Sequence, residues 1–222
     1  MLTTLPDQSI GNGIQSINPY PFIFRSNYDF TDIWSEIIPE TDYFLDIIDD
    51  PESTYRNSAL EVGGTSSVGR CRHDPPHGWR VFEDFTNNHI PMVVDDIWER
   101  WSLKRVYRNI TESWINRHPP GATTLEHHHH NVTVACVAYL QVPEGSGNLQ
   151  IKNPFDIYKL SEPVTDEYEM PREDNWIDIP VKTNDVLFFP GWVRHRTGPN
   201  NSNGTRYVMT LNITALVSCN IP

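Results

Sequence analysis

Cysteine is scarce in this 222-residue chain: Cys71, Cys136 and Cys219 are all there is, widely separated and odd in number. With no C-x-x-C pair, neither a disulfide framework nor a thiolate zinc site is indicated. Long apolar runs are missing as well. No stretch approaches the roughly 18–20 apolar residues of a membrane span. The opening Met1-Leu-Thr-Thr-Leu-Pro-Asp7 has neither the basic nor the apolar region of a secretory leader. Sequons such as Asn109-Ile-Thr111 therefore carry no expectation of glycosylation. Positive charge is in short supply too, with 17 Lys and Arg against 29 Asp and Glu and a net charge of −12. That balance opposes nucleic-acid and anionic-membrane binding, and any anionic ligand must be held by local cations. A soluble protein of a reducing, cytoplasmic compartment is the expectation. The partner is then a protein, a peptide or a small molecule, and the oligomeric state is not readable.

What is present suits one compact domain over residues 1–222. Residues 1–104 read as an irregular arm, a short strand at 21–25, a helix starting at 31–38, a loop-rich stretch at 50–80 and a helix at 90–103. Thr31 or Asp32 would cap the first helix. In the second, Ile90, Val93, Val94, Ile97 and Trp101 repeat at helical spacing, with Pro91 in the first turn. Within 50–80, Cys71-Arg-His73-Asp-Pro-Pro-His77 is read as a proline-stiffened loop, since a fourth metal ligand is lacking nearby. Residues 105–218 change character. Short strands near 106–117, 128–142, 148–152, 176–181, 185–189 and 205–217 alternate with Pro, Gly and Asn turns. A mainly β sandwich or barrel, backed by one or two N-terminal helices, follows.

The most telling segment is His127-His-His-His130, ahead of Val132-Thr-Val-Ala-Cys-Val-Ala-Tyr-Leu140. It looks like an affinity tag, yet it lies mid-chain. Residues two apart on a strand share a face, about 6–7 Å apart, so a His-x-His pair can reach one metal ion. Two pairs are possible, His127/His129 and His128/His130. Tyr139 shares parity with His127 and His129, which favours that pair; a single bulge would reverse the choice. A second anchor, Phe188-Phe-Pro-Gly-Trp-Val-Arg-His195, brings His195 just past a Pro-Gly turn. In the last strand Arg206, Val208, Thr210 and Asn212 share one face. An arginine inside a β-core needs a carboxylate. A ligand's carboxylate would serve, and so would a distant Asp or Glu of the chain.

Trp114-Ile-Asn116, Pro120-Gly121, His127-x-His129, Val137-Ala-Tyr139-Leu140, Gly147 to Pro154, Phe189-Pro-Gly-Trp192-x-x-His195 and Arg206-Tyr-x-x-Thr210 follow one another in an order that resembles the 2-oxoglutarate/Fe(II)-dependent oxygenases. The similarity covers roughly Ser113 to Ile213, is closest to an uncharacterised 2OG-Fe(II) oxygenase branch, and extends more weakly to prolyl hydroxylases. It implies a double-stranded β-helix (jelly roll) holding Fe(II), with 2-oxoglutarate as cosubstrate and ascorbate as a reductant. By position it implies His127, His129 and His195 as metal ligands, Arg206 as partner of the distal carboxylate, and Tyr139 and Thr210 as its assistants. Trp114 and Asn116 fall where cosubstrate or substrate contacts are made. The implied activity is hydroxylation of a substrate C–H, in a peptidyl side chain such as proline or a small metabolite, as 2-oxoglutarate is decarboxylated to succinate. No catalytic residue beyond the metal ligands is expected.

One departure is His-x-His where the wider superfamily has His-x-Asp or His-x-Glu. Three imidazoles still leave positions open on iron, and they suit zinc as well. A cupin-like metalloprotein is an alternative, though Asn131-Val-Thr-Val134 lacks the glutamate usual there. A zinc hydrolase and a non-enzymatic β-sandwich with a fortuitous histidine tract are the others. The acidic stretch from about Phe155 to Asn175 reads equally as a lid or as a surface excursion.

Overall fold

A computed structural model describes residues 8–10, 14–16, 22–52, 57–70, 74–103, 106–153 and 176–217. Cys71, His73, Cys219 and the 155–175 stretch lie outside the described residues.

The strands are β1 (Gln8–Ile10), β2 (Ile14–Ser16), β3 (Phe24–Asn27), β4 (Glu61–Val62), β5 (Thr65–Ser66), β6 (Val106–His118), β7 (Thr123–Thr124), β8 (Val134–Gln141), β9 (Leu149–Lys152), β10 (Trp176–Ile179), β11 (Asp185–Pro190), β12 (His195–Thr197) and β13 (Arg206–Val217). Eight form one antiparallel sheet in the order β1-β2-β3-β11-β8-β13-β6-β5, and β10-β9-β12 form a second. The β4–β7 ladder joins the smaller sheet's side, where Thr124 N–H donates to Thr197 Oγ1 at 2.8 Å. This is a jelly roll of two facing antiparallel sheets.

Alternation along the strands builds two cores. Val134, Cys136, Ala138 and Leu140 of β8 join Tyr207, Met209, Leu211 and Ile213 of β13 beneath the helices. Ala135, Val137 and Tyr139 instead join Leu149, Ile151, Leu187, Phe189 and Val208 between the sheets. β8 is therefore covered on both faces and reads as a continuous apolar run. Each large apolar side chain so buried contributes about 1.5–3 kcal/mol.

Helix α1 spans Thr31–Asp49, well beyond the predicted start at 31–38. Pro39 lies inside it, and proline removes one helical hydrogen bond. Trp34, Ile37, Thr41, Leu45 and Ile48 nevertheless bury a continuous face across the proline, and packing on the large sheet outweighs the lost bond. Its start is served by Asp29 Oδ1, which accepts from Thr31 N–H at 3.0 Å, rather than by a side chain of Thr31 or Asp32. Helix α2 spans Ile90–Arg100, preceded by a wider π-type turn at Phe85–His89. It ends earlier than predicted because Ser102 turns left-handed (φ 57°) and Leu103 N–H closes onto Trp98 O at 2.9 Å. Trp98 is buried in place of the expected Trp101, which stays half-buried.

The histidine run differs most from expectation. It precedes the regular strand, which starts at Val134 rather than 128. Asn131 adopts a left-handed conformation (φ 58°), which asparagine tolerates better than most residues, and breaks the pleat. What holds the run is tertiary. His127 and His195 exchange backbone hydrogen bonds, both 2.9 Å, and His129 N–H donates to Gly191 O at 2.8 Å. Gly191 permits this approach, because a Cβ there would sit 2.4 Å from Val132 O. Gly191→Ala should lower unfolding free energy by about 1–3 kcal/mol, as overpacking does, read as a shifted urea midpoint. An unchanged midpoint would show that this contact does not constrain the fold.

Candidate active site

Between the sheets, at one end, lies a cleft of about 290 Å³ lined by residues of β4 to β9, β12, β13 and the histidine run. One ring nitrogen from each of His127, His129 and His195 lies within 4.8 Å of the other two. Their ring centroids are 5.4, 4.2 and 5.1 Å apart. His128 and His130 are exposed, and their rings meet each other at 4.3 Å.

Oxygen acceptors set the protonation of the converging rings. His127 Nδ1 lies 2.8 Å from Leu125 O, and His195 Nδ1 lies 2.9 Å from Val193 O. His129 Nδ1 lies 2.5 Å from Asn212 Oδ1. A carbonyl oxygen only accepts, so each Nδ1 carries the proton and each Nε2 presents a lone pair. His129 Nε2 is buried and has no hydrogen-bond partner among the described residues. Burial pushes the His129 pKa down to about 4 and that of His195 well below the usual histidine range. His127 is also lowered, chiefly by burial. Three neutral imidazoles converging in this way, one of them with a buried and unpartnered Nε2, suit a cation.

Deeper in, cross-strand register stacks the polar residues. Arg206 faces His118, Val208 faces Asn116 and Tyr139, Thr210 faces Trp114 and Val137, and Asn212 faces Glu112. Arg206 is 1% exposed. Its Nη1 donates to Ser146 O at 2.6 Å and Gly147 O at 3.0 Å, whereas Nε and Nη2 have no partner. It forms no salt bridge among the described residues. Burial lowers its pKa, and the nearby Tyr139 and Glu61 work in the opposite direction. Tyr139 is buried beside it, and burial raises the phenol's pKa, keeping it protonated. Trp114 stacks on His129 at 5.7 Å and 22° and forms one wall.

A model of the family described as "Putative 2OG-Fe(II) oxygenase" matches residues 112–212, which hold the histidine run, His195 and Arg206. That match spans a little under half of the chain. The fold is similar to that of a Pseudomonas putida prolyl-4-hydroxylase, at 15% identity over 87% of this chain and 92% of that one, with a TM-score of 0.53. It is similar to the viral collagen prolyl hydroxylase of Paramecium Bursaria Chlorella virus-1, in its 2OG complex, at 13% identity over 88% and 97% with a TM-score of 0.52. The epimerase SnoN, in complex with Fe3+, alpha ketoglutarate and nogalamycin RO, is 13% identical over 90% and 83% with a TM-score of 0.57. A sequence search among curated proteins finds no match.

The fold gathers the candidate metal and cosubstrate residues at one end of the roll. His127, His129, His195, Tyr139, Thr210, Trp114 and Asn116 all line the cleft, and Arg206 lies buried behind it. His77 is apart, its Nδ1 and backbone N–H both tied to Ser113 Oγ at 2.8 and 2.9 Å. Sequence reasoning missed the supporting set. Asn212 was placed on the right face without a task. Glu61 sits in the stretch read as loop, where two short strands, β4 and β5, actually pair with β7 and β6. Its buried carboxylate lies 2.8 Å from His118 Nε2 and accepts from Thr124 Oγ1 at 3.1 Å.

Six imidazoles (His77, His89, His118, His127, His129 and His195) have pKa values lowered mainly by burial. An unfolded chain protonates them near pH 6.5, while the folded chain resists. Metal-free protein should therefore keep its stability above pH 6.5 and lose it as pH falls from there toward 4. Urea midpoints in chelator at pH 7.5 and 5.5 check this, and a flat profile would contradict the burial of these rings.

Proposed function

We propose that this oxygenase holds Fe(II) on Nε2 of His127, His129 and His195 and takes the distal carboxylate of 2-oxoglutarate on Arg206. The observation that carries this is the pairing of two unmet needs in one cleft. Three neutral imidazoles offer lone pairs to one point, and a buried guanidinium has two nitrogens without acceptors. A carboxylate on Arg206 satisfies those donors by charge-assisted hydrogen bonds worth roughly 1.5–3 kcal/mol each. A plain zinc hydrolase or cupin-like binder gives Arg206 nothing to do.

When bound, iron supplies the dioxygen chemistry that couples decarboxylation of 2-oxoglutarate to substrate hydroxylation. The chain's own residues position and exclude. Leu125 O, Val193 O and Asn212 Oδ1 fix the imidazole tautomers and ring planes. Ser146 O and Gly147 O aim the guanidinium and hold its Nη1, leaving its other edge for the ligand. Tyr139 and Thr210 line the path between the two ends, with a phenol and a hydroxyl to offer a carboxylate. Val137, Leu149, Val208 and Trp114 keep the walls apolar and limit water.

For substrate we place a peptidyl side chain first, proline in particular. Support comes from the prolyl hydroxylases among the similar folds, one of them, from Trichoplax adhaerens, in complex with a peptide fragment. A small metabolite stands second, supported by SnoN, an epimerase of similar fold in complex with nogalamycin RO.

Purified protein given Fe(II), ascorbate, 2-oxoglutarate and proline-containing peptides should release succinate and add one oxygen atom to a peptide, followed by mass spectrometry. No succinate with any substrate tried, peptide or metabolite, would tell against the assignment. Arg206→Met should retain Mn(II) binding but weaken 2-oxoglutarate binding at least tenfold, in line with the loss of one charged hydrogen bond. Equal affinity in calorimetry would remove Arg206 from the cosubstrate site.

A further inference from the structure

Glu61 is a buried carboxylate inside the cleft, a place where a dicarboxylate ligand alone would disfavour one. Its side chain is 2% exposed, and β4 pairs it directly with Thr124. The same ladder continues toward the trio, because Leu125 N–H donates to Leu60 O at 2.8 Å and Leu125 O receives His127 Nδ1–H. Donors from two sides hold the carboxylate in place: His118 Nε2 at 2.8 Å and Thr124 Oγ1 at 3.1 Å. His118 itself is wholly buried, its Nε2 also lies 2.9 Å from Thr124 Oγ1, and burial lowers its pKa against the opposing pull of Glu61.

The charges of the site explain such a group. A divalent cation and one guanidinium outweigh a dicarboxylate by one positive charge, and three neutral imidazoles do nothing to correct it. In a water-poor cleft an uncompensated charge is costly. Glu112, the other carboxylate lining the cleft, is half-buried at its edge and bound at 3.4 Å by Asn212, so solvent screens it. Glu61 is shielded from water and lines the same cleft as His127, with Arg206 buried behind it.

We propose that Glu61, held by His118 and Thr124, is the counter-charge of the site, supplying the negative charge that its all-imidazole donor set lacks. Glu61 is thus a positioning residue, acting through space on the metal and on Arg206, and the assignment rests on the metal and 2-oxoglutarate reading above. It also gives opposite signs for the two ligands, since a carboxylate attracts the cation and repels the dicarboxylate.

The test is calorimetry on the full chain, titrating Mn(II) into metal-free protein and then 2-oxoglutarate into Mn(II)-loaded protein. Glu61→Gln should weaken Mn(II) binding roughly 10- to 100-fold, the usual range for groups beyond the ligands. Affinity for 2-oxoglutarate should hold or rise in the same variant. Glu61→Asp, which keeps the charge, should bind Mn(II) close to wild type. Should the glutamine variant fail to fold, Glu61→Leu, of similar volume, carries the same expectation. Parallel loss of both affinities would mark a structural role and overturn the proposal, as would unchanged Mn(II) affinity. Wild type that binds neither ligand overturns the functional reading and this one with it; wild type that binds both, beside an unmoved glutamine variant, overturns this one alone.

Discussion

The pair of backbone hydrogen bonds between His127 and His195 is the contact on which the site depends. It locks a segment with no regular structure onto the smaller sheet and brings two imidazoles within 4.2 Å in one step. His129 then follows from a single further bond to Gly191. Remove that attachment and the histidine run becomes a polar surface turn, with the large sheet unaffected. The histidine run is thus joined to the scaffold by a few backbone atoms, together with the Asn212 side chain and the Trp114 ring on His129.

The two ends of the cleft are built on different principles. At the mouth, peptide carbonyls and one amide hold the rings by Nδ1, and these are rigid, neutral partners whose geometry the backbone sets. At the base, Arg206 is carried by a long central strand, and its Nε and Nη2 have no partner among the described residues. An incompletely bonded guanidinium inside a protein is a standing cost to stability. On the proposed assignment, binding strength for an oxyacid is the return.

Much of this was legible in the linear chain because strand parity survives local disorder of the pleat. Tyr139 shares the cleft with His127 and His129 even though Asn131 interrupts the strand between them, and β13 presents Arg206, Thr210 and Asn212 inward as alternation requires. The helix past Pro39 was not legible, because its extension depends on the sheet beneath it and local propensity points the other way. Nor was Glu61, which owes its position to two-residue strands. Strands that short have no periodicity to read, and only their partners, Thr123 and Thr124, define them. Asn212 illustrates a middle case, since its face was evident while its grip on His129 depends on a chain reversal far upstream.

On the proposed assignment, the separation of His127 from His195 along the chain has a cellular consequence. The three nitrogens come together only after both sheets have closed, so an ion finds its full site in the native chain and not in nascent or unfolded copies. Iron supply would then govern how long each molecule survives proteolysis as well as how fast it turns over substrate. Scarcity of the ion would thin the pool of enzyme along with its activity.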